Sequence, residues 1–217
     1  MSITIKEQIP TFKIVILGDR GVGKSSFINC LKLKNFEKKY YATMTTEVST
    51  IIIKTNKGPI EFNLWEVASS EKYGSLRDAF YMNSDAAIIL FSLQSRISYK
   101  NLHIHYKDFK TVCDNAPIIL CGTGFDQTDE IKMKPRLITF PAKKNIPYYS
   151  TSSRTRSNLH QPLLDIARKL TGDDDIYFMI ADEIEDEENE NNSKIEEMIK
   201  EFDDQIGVKI LLEDDDF

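Results

Sequence analysis

The chain has 217 residues, 41% of them hydrophobic, and a formal net charge of −6. This length suits one domain plus an appendage, and this apolar share can bury a real core. No apolar run approaches the roughly 20 residues of a membrane helix, the start MSITIKEQIP has no apolar h-region or cleavage site, and the end EDDDF has no cysteine to prenylate. A soluble protein without lipid or membrane anchor is expected.

Residues 12–17 (FKIVIL) form a short apolar, β-branched run and predict a buried parallel strand. GDRGVGKSS follows, and then FINCLKLKNF, a predicted helix with Phe27, Ile28 and Leu31 facing inward. Residues 48–55 and 60–65 are strand-like and flank TNKGP, where Gly58 supplies turn chemistry, so an antiparallel hairpin is expected. Residues 86–93 (AAIILFSL) and 117–121 (PIILC) read as two more buried strands, with a helix, SYKNLHIHYKDFKTV, between them. IPYYS is a last short strand. LHQPLLDIARKL is a helix by its apolar spacing, which tolerates Pro162 only in the first turn. Strands alternating with helices, plus one hairpin, predict an α/β fold: a three-layer, doubly wound, mostly parallel six-stranded sheet.

Gly172 ends this predicted body. Residues 173–217 carry 19 acidic side chains and 3 lysines, which leaves 25 basic and 15 acidic side chains for residues 1–172. A basic body with an acidic tail can fold the tail back on itself or present it to a partner; a merely solubilising tail is the competing reading. Residues 173–192 read as a flexible linker. Ile195, Met198, Ile199, Phe202 and Ile206 then fall at helical steps, a candidate amphipathic helix before the acidic end. The three cysteines, Cys30, Cys113 and Cys121, are too few and too scattered for a disulfide framework or a zinc site.

Residues 18–25, GDRGVGKS, match G-x-x-x-x-G-K-[ST] between a predicted strand and a predicted helix. Glycine lets the backbone approach a phosphate closely, and successive N–H groups make an anion-binding concavity. The candidate nucleotide-binding residues here are Gly18, Asp19, Gly21, Val22, Gly23, Lys24, Ser25 and Ser26. Lys24 would reach the β- and γ-phosphates, Ser25 would join Mg²⁺, and the helix N-terminus favours the anion.

Together with this loop, FEKKYYAT, TNKGPIEFNLW, EKYGSLRDAFY, SRISYKNL, PIILCG, KKNIPYY, ARKLTGD and EDDDF resemble the small GTP-binding proteins of the Ras superfamily. Within it they most resemble the Ran branch, which serves nuclear transport. The likeness is nearly continuous over residues 10–173 and looser in the tail. It implies a P-loop NTPase of small G-protein architecture over residues 1–172, with residues 173–217 as acidic linker, helix and tail. It implies GTP/GDP and Mg²⁺ as ligands, and nucleus and cytoplasm as location. The implied partners are importin- and exportin-type receptors, an exchange factor and Ran-binding-type proteins; no nucleic acid is expected. By position, Thr43 would meet Mg²⁺ and shares the first switch with Lys38, Lys39 and Tyr40. Asp126 would read guanine, and Ser152 begins a loop that backs the base. Lys132, Lys134, Arg136, Lys143 and Lys144 fall where the branch meets acidic partners, or form a solvated face.

Several positions depart from the family pattern. Glu66, Ser69 and Ser70 stand where aspartate, glycine and the water-positioning glutamine are usual, so Glu66 would hold Mg²⁺ through water and Ser70 marks a degenerate catalytic position. Arg20 replaces a glycine, which obstructs an arginine finger supplied by an activator or, on another reading, replaces it. Thr123 and Gly124 replace the Asn-Lys pair of the base motif, and Arg154 replaces a lysine that covers the base. Phe125 is expected in the core. His103 and His105, two apart on a helix, face different ways and predict no metal site, while His160 is expected in solvent. The expectation is a GTP-binding switch with weakened or lost hydrolysis, or alternatively a pseudo-GTPase that serves as a binding scaffold; Asp126 argues against an ATP-using enzyme.

Overall fold

The computed structural model describes residues 9–32, 46–68 and 74–179, with backbone alone at 74–76. The first strand, β1 (Thr11–Leu17), contains Ile14, Val15 and Ile16, each fully buried, as a strand covered on both faces requires. It lies between β3 (Gly58–Glu66) and β4 (Ala86–Ser92), parallel to both. The edge strand β2 (Glu47–Thr55) pairs antiparallel with β3. Their turn uses Gly58 at φ 108°, and the Thr55 hydroxyl donates to the Gly58 carbonyl at 2.6 Å. β5 (Ile118–Thr123) and β6 (Tyr148–Thr151) complete a six-stranded sheet of order β2-β3-β1-β4-β5-β6, antiparallel only at β2-β3.

The helices are α1 (Lys24–Leu31), α2 (Gly74–Tyr81), α3 (Arg96–Val112), the short α4 (Phe140–Lys144) and α5 (Gln161–Thr171). Ser95 caps α3 by accepting from the Ser98 amide. Pro162 sits in the first turn of α5 and Gly172 closes it in the left-handed region. One core joins Ile14, Ile16 and Ile88 to Phe27 of α1 and Leu163 and Ile166 of α5. A second, on the opposite face, joins Val15, Leu17 and Ile89 to Tyr81 of α2 and Leu102 and Phe109 of α3. This is the expected three-layer α/β architecture. Among the described residues no helix is long and apolar enough to cross a membrane.

The helices α2 and α4 were not anticipated. The chain also stays attached past Gly172, where the sequence suggested a free linker. Ile176 is buried in the first core, and Arg168 Nε donates to its carbonyl at 2.9 Å. Asn56, at the hairpin turn, donates to the Asp175 carbonyl (3.0 Å) and accepts from the Tyr177 amide (3.0 Å), and Phe178 meets Phe62 edge-on. Three aspartates mask this apolar segment in the sequence. The described residues up to Phe178 belong to one compact unit. The predicted helix around residues 195–206 lies outside the described residues.

Candidate functional site

In open α/β sheets the order of strands reverses at a switch point, and ligand crevices lie outside the carboxyl ends of the strands there. Here the chain winds outward from β1 in one direction to β3 and β2, and in the other to β4, β5 and β6. The loop after β1 therefore emerges at the switch, flanked by the ends of β3, β4, β5 and β6.

That loop is shaped by its glycines. Gly18 has φ 137°, and a Cβ placed on it would lie 2.2 Å from the Leu90 carbonyl oxygen, so no other residue fits. Gly21 and Gly23 also have positive φ, at 77° and 96°. Val22 is buried between them and pins the loop to the first core. The Gly23 carbonyl then accepts from the Phe27 amide at 2.9 Å as α1 begins. Lys24 is only 6% exposed, and its Nζ donates to the carbonyls of Gly18 and Asp19, each at 3.0 Å. Burial lowers the pKa of its ammonium, while the carboxylates of Glu66 and Asp19 oppose the shift. The loop thus curls around its own cation.

Ser25 Oγ donates to Glu66 Oε1 at 2.7 Å. Glu66 ends β3 beside Ile16 of β1 and is 3% exposed. A hydroxyl and a carboxylate at the mouth of an anion cradle are hard oxygen donors, the set Mg²⁺ takes. On the other flank, α3 braces the loop: Asn101 Nδ2 donates to Asp19 Oδ2 and His105 Nε2 contacts Asp19 Oδ1, both at 2.8 Å.

The loops after β5 and β6 form the second half of the site. Thr123 Oγ1 donates to the Val22 carbonyl at 2.7 Å and ties β5 to the cradle. Gly124 has φ 76°, and a Cβ there would meet the Gln94 amide at 2.7 Å. Gln94 Nε2 donates to the Gly124 carbonyl (2.6 Å), and its Oε1 accepts from Ser92 Oγ (2.7 Å). The Asp126 carboxylate is held by Arg154, whose Nε and Nη2 both reach Oδ2, at 2.7 and 2.6 Å. Burial pushes the Asp126 pKa up, but hydrogen bonds from Ser152 and the backbone amide, with the Arg154 guanidinium, outweigh it and hold the carboxyl below its usual range. Ser152 is fully buried, and its Oγ accepts from the Thr155 amide at 3.1 Å.

The structure therefore brings together the residues named from Gly18 to Ser26, sets Glu66 against Ser25, and groups Thr123, Asp126, Ser152 and Arg154. Tyr40, Thr43, Ser69 and Ser70, with Lys38 and Lys39, lie outside the described residues. Gln94, Asn101 and His105 were missed. The i, i+4 spacing of Asn101 and His105 placed them on one helix face, but nothing local showed what that face meets. His103 points elsewhere and is exposed. His160 is not in solvent as expected: at the start of α5 its Nδ1 is buried without a partner among the described residues, and burial lowers its pKa. Phe125 packs against the second core. All three cysteines are free thiols, and among the described residues no three His, Cys, Asp or Glu side chains group as metal ligands.

A model of the Ras family matches residues 13–172, from β1 through the glycine that closes α5.

Proposed function

The chain belongs to the Ras family of GTP-binding switches, and on that premise we propose that it is a divergent, Ran-like switch of nucleocytoplasmic transport whose GTP hydrolysis is weakened or lost. The observation that carries the reading is the cradle: three positive-φ glycines and a buried Lys24 whose ammonium sits on the carbonyls of Gly18 and Asp19. A Cβ at Gly18 would collide with the Leu90 carbonyl of β4, so the loop has to leave β1 through glycine.

These residues fit a guanosine di- or triphosphate with Mg²⁺. Backbone N–H groups from Gly21 to Ser26 would face the phosphate oxygens, and Lys24 would add a point charge. Ser25 would hold the metal, with Glu66 behind it, and Thr43 would complete the set. Mg²⁺, when bound, neutralises phosphate charge. Asp126, backed by Ser152, would face the base, and Thr123 keeps the base side in register with the cradle through Val22.

Hydrolysis in such sites needs a positioned water and stabilisation of transition-state charge. Ser70 is too short to orient water as glutamine does, Ser69 adds a β-carbon, and Arg20 adds bulk beside the cradle. Binding rests on backbone and Lys24, so it outlasts these changes. The transport reading rests on the Ran-like segments and the acidic end. Lys132, Lys134, Arg136, Lys143 and Lys144 are all exposed, as a surface for acidic importin- or exportin-type receptors requires. Exchange factors and Ran-binding-type proteins are the further partners, with nucleus and cytoplasm as the location.

Nucleotide extracted from the purified protein and identified, with phosphate release followed over hours, tests the first part. Bound GTP that persists is the expected result; rapid release overturns the loss of hydrolysis. A receptor panel probed with GDP- and GTP-loaded protein tests the second, and equal capture in both states contradicts a switch. A pseudo-GTPase scaffold is favoured by the ion pair on Asp126, and an empty protein with no affinity for GTP would establish it.

A further inference from the structure

We propose that Arg154 sets the base specificity of this site: it competes with the nucleobase for Asp126, so that purines differing only at the 2-amino group are poorly told apart. The inference rests on the reading of Asp126 as the residue that meets the base.

A carboxylate that reads guanine accepts two N–H groups, one from the ring and one exocyclic, and uses both oxygens to do so. Here both nitrogens of the Arg154 fork converge on one oxygen, Oδ2. Such charge-assisted contacts are short and about twice as strong as neutral ones. With the hydrogen bonds of Ser152 and the Asp126 backbone amide also on this carboxylate, they leave it room for at most one N–H from a base. The pair is asymmetric in depth: the Asp126 side chain is 8% exposed and that of Arg154 54%. The carboxylate is therefore largely enclosed, and the guanidinium is its solvent-facing partner. The arginine is carried on a tight turn closed by the Ser152–Ser157 bridge, which holds its backbone beside Asp126.

Among the described residues, the side chains beside Asp126 do not restore the lost contact. Gly124 contributes none, and both ends of the Gln94 amide are committed, to Gly124 and to Ser92. Thr123 Oγ1 is committed to Val22. Hypoxanthine keeps the ring N–H of guanine but lacks its 2-amino group, so a carboxylate with room for one N–H has little means of telling the two bases apart.

The test uses the full chain freed of nucleotide, with magnesium present. Affinities for guanosine diphosphate and inosine diphosphate are measured for the wild type, Arg154→Ala and Arg154→Gln, with tripolyphosphate as a base-free probe. The wild type is expected to favour guanosine over inosine by less than about threefold. Both variants are expected to raise that preference to about tenfold, the weight of one regained N–H to carboxylate contact, while tripolyphosphate binding stays unchanged. A wild type that already discriminates tenfold, a ratio unmoved in both variants, or an equal loss of both nucleotides on removing Arg154 would each overturn the proposal. The last result would make the arginine a cover for the base. Failure of every protein to bind either nucleotide would instead overturn the nucleotide-binding reading beneath it.

Discussion

The cradle after β1 and the paired loops after β5 and β6 share one edge of the sheet but are built differently. The cradle acts through its backbone. Gly18 is excluded from carrying a side chain by the Leu90 carbonyl, and the loop's shape follows from steric necessity. The loops after β5 and β6 act through side chains. Thr123 ties β5 to Val22, Ser152 and an arginine hold the Asp126 carboxylate, and glutamine occupies the space beside Gly124. A side chain at Gly18 breaks the loop. A side-chain change at the loops after β5 and β6 costs the fold less.

The largest effect that would sharpen this contrast is expected at Gly18. Alanine there meets a carbonyl oxygen in a backbone conformation L-residues rarely adopt, so Gly18→Ala should lose about 3 kcal/mol or more of stability in urea unfolding, together with nucleotide binding. A normal stability would show that the cradle is not sterically fixed. Next comes Ser25→Ala, which removes the hydroxyl on Glu66. Affinity for guanosine diphosphate in magnesium should fall by about 10–100-fold, while affinity in chelator barely moves.

On the base side the effects should be smaller. Thr123→Val keeps the shape and removes the hydroxyl from Val22, for about 1 kcal/mol in unfolding free energy. A loss as large as that at Gly18 would break the contrast. Smallest is the acid limb of Asp126. Its folded pKa lies below its unfolded value, so its contribution is complete above the ordinary carboxylate range and is lost as pH falls through the folded value. Asp126→Asn should therefore be less stable than wild type by under about 1 kcal/mol near neutral pH, and the two curves should converge in acid. A gap that widens on acidification would contradict the ion pair.

The same division governed what the sequence revealed. The strands were legible because runs such as FKIVIL and AAIILF are buried on both faces, and their apolar continuity says so. The cradle was legible because its residues are contiguous and glycine has few other uses there. FPAKK, the α4 segment, is too short for a helical period to register, and α2 is only eight residues long and starts at a glycine. The strap at Ile176 and Phe178 was hidden behind three aspartates. The contacts of Asp19 with Asn101 and His105, and of Asp126 with Arg154, join residues far apart in the chain. Each residue was individually visible; the pairings exist only in three dimensions.

The central claim is that the amides of residues 18–25 and the Lys24 ammonium still grip a guanosine polyphosphate. Titration calorimetry of nucleotide-free protein with guanosine diphosphate in magnesium tests it most directly, with Lys24→Ala alongside. The account predicts saturable one-to-one heat for the wild type and an affinity about 100-fold weaker or lower for the variant. Absence of heat from the wild type, or indistinguishable isotherms for the two proteins, would contradict it.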